Sequence, residues 1–134
     1  MTEYEIVYLT SEYVNRTWEV MQFWASVSFG IIALSHLGAR YLNLVMTLIV
    51  SLLYIGFTLF VVNILRVNGE VVSGFLLDLQ SKTASAGLSE GAQAIVDTAP
   101  NNLQMAAIVV TFIGFFLGSL FFLWFSYIRA RKIR

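Results

Sequence analysis

Leu44–Leu65 reads LVMTLIVSLLYIGFTLFVVNIL, a run without a single charge. As a helix rising 1.5 Å per residue it covers about 33 Å, enough to cross the roughly 30 Å hydrocarbon core of a bilayer. Two further stretches, Val20–Leu37 and Leu103–Ile128, have the same character. In hydrocarbon every backbone N–H and C=O must be satisfied within the segment, so these stretches are expected to be helices. The fold class that follows is an all-α membrane protein with three transmembrane helices in a bundle. An amphipathic N-terminal helix precedes the first span, and a helical outer loop joins spans two and three.

Composition agrees. The 134 residues are 58% hydrophobic and 12% charged, against about a quarter charged in soluble domains. The expected organisation is one integral membrane domain, 1–134. It comprises an outer segment (1–19), spans at 20–37, 44–65 and 103–128, an outer loop (66–102) and a basic tail (129–134). No length remains for a separate enzymatic domain.

Net charge is zero, but its distribution is uneven. All eight acidic residues fall in the N-terminal segment or the second loop, whereas Arg40, Arg129, Arg131, Lys132 and Arg134 fall in the first loop or the tail. Five basic residues on one side against three on the other (Arg16, Arg66, Lys82) place the C-terminus in the cytoplasm and the N-terminus outside a cell (inner) membrane. Cysteine is absent, which excludes disulfides and thiolate chemistry. The first residues lack a basic n-region and a small-residue cleavage site, so span one is expected to stay as an anchor.

Local signals punctuate the chain. Ile6, Leu9, Tyr13, Thr17 and Val20 recur at helical spacing, with Tyr4, Tyr8 and Trp18 as interfacial aromatics. Gly38 ends span one, Ala39–Asn43 is a tight turn, and Asn43 caps span two. Tyr41, Trp124 and Tyr127 mark the inner interface. Asn68-Gly69 reads as a break. Beyond it, Val71, Val72, Phe75, Leu76 and Leu79 form the apolar face of a second amphipathic helix, lying on the membrane or over the spans. Lys82–Gly87 reads as a turn. Ser89 caps a short helix through Val96, and Pro100 with Asn101-Asn102 restarts the chain as span three.

Lipid tails are as apolar as leucine, so spans associate through close packing and interhelical hydrogen bonds. Each span carries a stripe suited to this: Glu19, Gln22, Ser26, Gly30 and Ala33; Asn43, Thr47, Ser51, Tyr54 and Thr58; and Ala107, Thr111, Gly114 and Gly118. These stripes either meet inside one chain or serve another subunit. The third, a GxxxG pair flanked by phenylalanines, is the expected partner face, with Ser26 and Gly30 as further packing positions. Phe75, Leu76 and Leu79 are the expected outer contact. A rival expectation is a homo-oligomeric channel or membrane-permeabilising effector lined by Asn43, Thr47, Ser51, Tyr54 and Thr58. Hydroxyls in membrane helices, however, often bond their own backbone.

Glu19, within reach of Arg16, and His36, the lone histidine, are the ionisable candidates near the spans. Neither has a catalytic or metal-ligand companion in sequence. No HExxH, GxSxG, GxxxxGK[ST] or GxGxxG occurs. The expectation is therefore a non-enzymatic protein with no cofactor or metal. Its partners would be the lipid bilayer and either further copies or a larger membrane protein; the basic tail fits anionic lipid better than nucleic acid.

Overall fold

The computed structural model describes residues 1–133, and the side chains of all of these except 83–86. Its order is α1 (Glu3–Leu37), a 3-10 turn (Ala39–Tyr41), α2 (Leu44–Ala86), α3 (Glu90–Asp97) and α4 (Asn102–Lys132). No strand occurs among the described residues. Helices α1, α2 and α4 are each long and apolar enough to cross a membrane. All three touch one another.

The helix ends follow from local chemistry. Thr2 and Glu5 form a capping box at the start of α1: the Thr2 backbone N–H donates to the Glu5 carboxylate at 2.8 Å, and the Thr2 hydroxyl accepts from the Glu5 N–H at 3.2 Å. The backbone donor on its carboxylate is the main reason that the Glu5 pKa is held below the ordinary glutamate value. Gly38 closes α1. Its N–H bonds to the Leu34 carbonyl at 2.8 Å, and a Cβ at this position would meet that same carbonyl oxygen at 2.8 Å, so only glycine fits. Asn43, Ser89 and Asn101 cap α2, α3 and α4 through side-chain oxygens that accept from Met46, Ala92 and Gln104 backbone N–H groups.

The expected break at Asn68-Gly69 is absent, and this is the largest correction to the sequence reading. Helix α2 runs unbroken for 43 residues, from Leu44 to Ala86, and so also absorbs most of the expected turn at 82–87. A glycine inside a helix costs about 1 kcal/mol relative to alanine. Against this, each apolar side chain fully buried is worth about 1.5–3 kcal/mol. Continuing the helix buries Leu79 completely with Ile6 and Ala92, and packs Phe75 beside them. The Asn68 side chain also donates to the Thr17 hydroxyl at 3.4 Å, across to α1. Continuity therefore wins. The turn is shortened to residues 87–89, opened by Gly87, whose φ of +74° suits a residue without Cβ.

The consequence is a paired extension. At 1.5 Å per residue α1 is about 52 Å long and α2 about 65 Å, so each exceeds a 30 Å hydrocarbon layer by roughly 20–35 Å. The far ends of α1 and α2 stay in contact, through Tyr13 against Phe75 (ring centroids 6.0 Å apart) and Ile6 against Leu79. Helix α3 folds back onto this pair. The Glu3 carboxylate accepts from both the backbone N–H and the hydroxyl of Ser89, fastening the start of α3 to the start of α1.

Candidate functional site

A polar seam runs where the three long helices meet. The Trp24 indole N–H of α1 donates to the Thr58 hydroxyl of α2 at 3.1 Å. One turn further along, the Ser28 hydroxyl and the Tyr54 phenol lie 2.6 Å apart. From α4, the Trp124 indole N–H donates to the Ser51 hydroxyl at 3.1 Å. The remaining hydroxyls bond back along their own helices: Thr47 to the Asn43 carbonyl, Ser51 to Thr47, Ser35 to Ile31, and Ser119 to Phe115. Among the described residues, no buried side-chain nitrogen or oxygen lacks a partner. Aromatic rings seal the seam. Phe112 stacks on Trp24 with centroids 4.0 Å apart, Phe115 tilts against it at 5.7 Å, and Phe116 lies 5.4 Å from Tyr54.

This seam accounts for the second stripe and alters its meaning. Thr47, Ser51, Tyr54 and Thr58 are all buried inside the chain, and only Asn43, the helix cap, is exposed. Their hydroxyls face α1, α4 or their own backbone. In this chain the residues expected to line a pore do not face an open lumen, because the indoles of Trp24 and Trp124 need acceptors in an apolar interior and these hydroxyls supply them.

On α1 the packing within this chain uses a different face from the one that carries Ser26 and Gly30. Ser26 and Gly30 are exposed, whereas Trp24, Ser28, Ile31 and Ser35 are buried. Ser26 and Ser28 stand 200° apart around the helix, and the one placed beside Trp24 and Tyr54 is Ser28. The outer contact is likewise used up internally: Leu79 is fully buried, and Phe75 and Leu76 are half-buried. The second helix continues span two instead of crossing its top, so Leu79 and Phe75 of this face pack with the start of α1 and with α3.

The third stripe remains open. Ala107, Thr111, Gly114 and Gly118 are all exposed, while α4 turns Ser119, Leu123, Ser126 and Tyr127 inward. A methyl group added at Gly114 or Gly118 would meet no atom within 4 Å, and the same holds for Gly30. Every residue from Asn102 to Thr111 is exposed, so the first third of α4 buries no side chain within this chain. Beside it runs an apolar groove of about 380 Å³, walled by Met21, Ala25 and Phe29 of α1 and by Ala107, Thr111 and Phe115 of α4.

The ionisable candidates stand apart from one another. Glu19 is exposed at the rim of a shallow apolar hollow with Phe23, Phe57 and Phe60. Its expected partner Arg16 instead pairs with Glu12 at i,i+4, so the pairing with Glu19 is not formed. His36 is exposed near the end of α1, at the edge of a cleft with Arg40 and Arg129. Among the described residues no group of three or more His, Asp or Glu side chains is placed to hold a metal ion. No protein-family model, curated protein or solved structure matches this chain.

Proposed function

We propose that the chain is a non-enzymatic integral membrane subunit, an accessory or scaffold element that assembles through the exposed small-residue stripe of α4. In this reading α1, α2 and α4 form a bundle in a cell (inner) membrane. The N-terminus and the extension built from α1, α2 and α3 lie outside, and the basic end lies in the cytoplasm. The charge asymmetry supports that orientation.

One observation carries the reading. The polar stripe of α2 is buried within the chain, while Ala107, Thr111, Gly114 and Gly118 are exposed and a Cβ added at either glycine meets no atom within 4 Å. Small residues in membrane helices allow backbones to approach closely, and close approach is what drives association in lipid. The neighbouring groove along α1 offers further apolar wall for a helix that approaches here. The partner is either another copy of this chain or a larger membrane protein.

The test is direct, because position 114 is exposed and a Cβ added there meets no atom within 4 Å in the isolated chain. Gly114→Leu is expected to leave insertion and helicity unchanged while dissociating the assembled particle in mild detergent, seen as a fall in mass by light scattering. A particle mass unaltered by both Gly114→Leu and Gly118→Leu would contradict the proposal.

A further inference from the structure

Glu19 is the last charged residue of α1 before the apolar run of the first span. Residues four apart share a face of a helix, so Glu19 and Phe23 stand one above the other. On α2, Phe57, Phe60, Val61 and Ile64 recur at the same spacing. The two faces meet in a hollow of about 280 Å³, walled by these side chains and Val20. Val61 is buried, Phe23 and Phe60 are exposed, and Phe23 meets Phe57 edge-on with ring centroids 5.8 Å apart.

The Glu19 carboxylate stands over this hollow without a protein cation. Arg16 on α1 and Arg66 on α2 are the basic residues nearest to it along the two helices, and they pair with Glu12 and Glu70. Among the described residues no hydrogen bond or ion pair reaches Glu19. The segments at this end, 1–19 and 66–102, hold eight acidic residues against three basic ones, which disfavours an anionic ligand.

The walls are graded. Phe23 lies about 6 Å from Glu19 along the α1 axis, and Phe57 lies about 10 Å from Ile64 along α2. A carboxylate at the lip over phenyl rings below matches an ammonium group joined to an acyl chain. A soluble amine would use the lip alone and leave the apolar depth empty.

We propose that this hollow binds one phosphatidylethanolamine, with its ammonium on Glu19 and an acyl chain against Phe23, Phe57 and Phe60. A primary ammonium donates charge-assisted hydrogen bonds to a carboxylate, whereas the choline headgroup has no N–H to donate. The site rests on α1 and α2 crossing a membrane and is independent of the open α4 stripe.

Native mass spectrometry of the full chain in detergent, offered equal amounts of phosphatidylethanolamine and phosphatidylcholine with identical acyl chains, tests this. The expected result is one retained phosphatidylethanolamine per chain, at about fivefold preference, the scale of an exposed ion pair. Glu19→Gln should abolish the preference, whereas Glu90→Gln, an equal change in charge on α3, should leave it within about twofold. Phe60→Ala, at an exposed position, should lower retention of both lipids by about threefold, the scale of a partly covered apolar side chain. Equal retention of the two lipids by the unmodified chain, or equal loss of preference in Glu19→Gln and Glu90→Gln, would overturn the site. Unchanged retention in Phe60→Ala would overturn the placement of the acyl chain. Displacement of the lipid by millimolar ethanolamine would identify a soluble-amine site and overturn the lipid assignment. Gly114→Leu should not affect retention, so failure of assembly and failure of the lipid site are read separately.

Discussion

Two indole N–H groups decide how the interior of this molecule is arranged. Trp24 and Trp124 are large enough to fill the space between helices, but each brings a donor that cannot be left unpaired in an apolar setting. Thr58 and Ser51 supply the acceptors. The same logic explains why Ser28 and Tyr54 face one another at 2.6 Å. Thr58→Val keeps the shape of the side chain and removes only the acceptor. It is expected to destabilise the folded chain by about 0.5–1.5 kcal/mol in detergent unfolding, the range found for interhelical bonds in membranes. Combined with Trp24→Phe, the two losses should be less than additive, because both remove the same bond. Full additivity would show that the indole and the hydroxyl act independently.

Helix ends were legible in the sequence because each is set by one or two residues. Gly38, Asn43, Ser89 and Asn101 stop or start helices through bonds made within four residues. Rotational phase and continuity were less legible, because they depend on partners distant in the chain. Ser26 and Ser28 are equally small, and it is contacts with distant residues, the stacking of Phe112 on Trp24 and the Ser28–Tyr54 bond among them, that go with the face carrying Ser28. Asn68-Gly69 is a frequent turn pair, and contacts distant in the chain, the burial of Leu79 against Ile6 and the Asn68–Thr17 bond, accompany the continuity of α2 through it. The continuity has a sharp consequence at Gly69, where an added methyl meets nothing within 4 Å and φ is not positive. Gly69→Ala should raise stability by about 0.5–1 kcal/mol, the ordinary gain in a helix interior. A loss of stability would indicate a turn at this position. Of the candidate site, the α4 stripe could be read from sequence as one row of small residues, and all four of its members are exposed. The α2 stripe could not, since its hydroxyls take their role from Trp24 and Trp124.

At the scale of the whole molecule, length and charge act together. The spans are matched to a hydrocarbon layer, and the excess length of α1 and α2 collects at the end that also holds all eight acidic residues. The opposite end is short, basic and closed by the tight turn at Gly38. In the proposed arrangement this polarity sets the orientation of the chain, with the basic end in the cytoplasm. Because the chain contains no cysteine, single cysteines can be introduced as reporters at exposed positions on the two ends. In sealed cells, a membrane-impermeant maleimide is expected to label Ser11→Cys and Asp97→Cys directly, and Arg40→Cys and Lys132→Cys only after permeabilisation. Labelling of Ser11→Cys and Lys132→Cys from the same side would contradict three crossings of the bilayer.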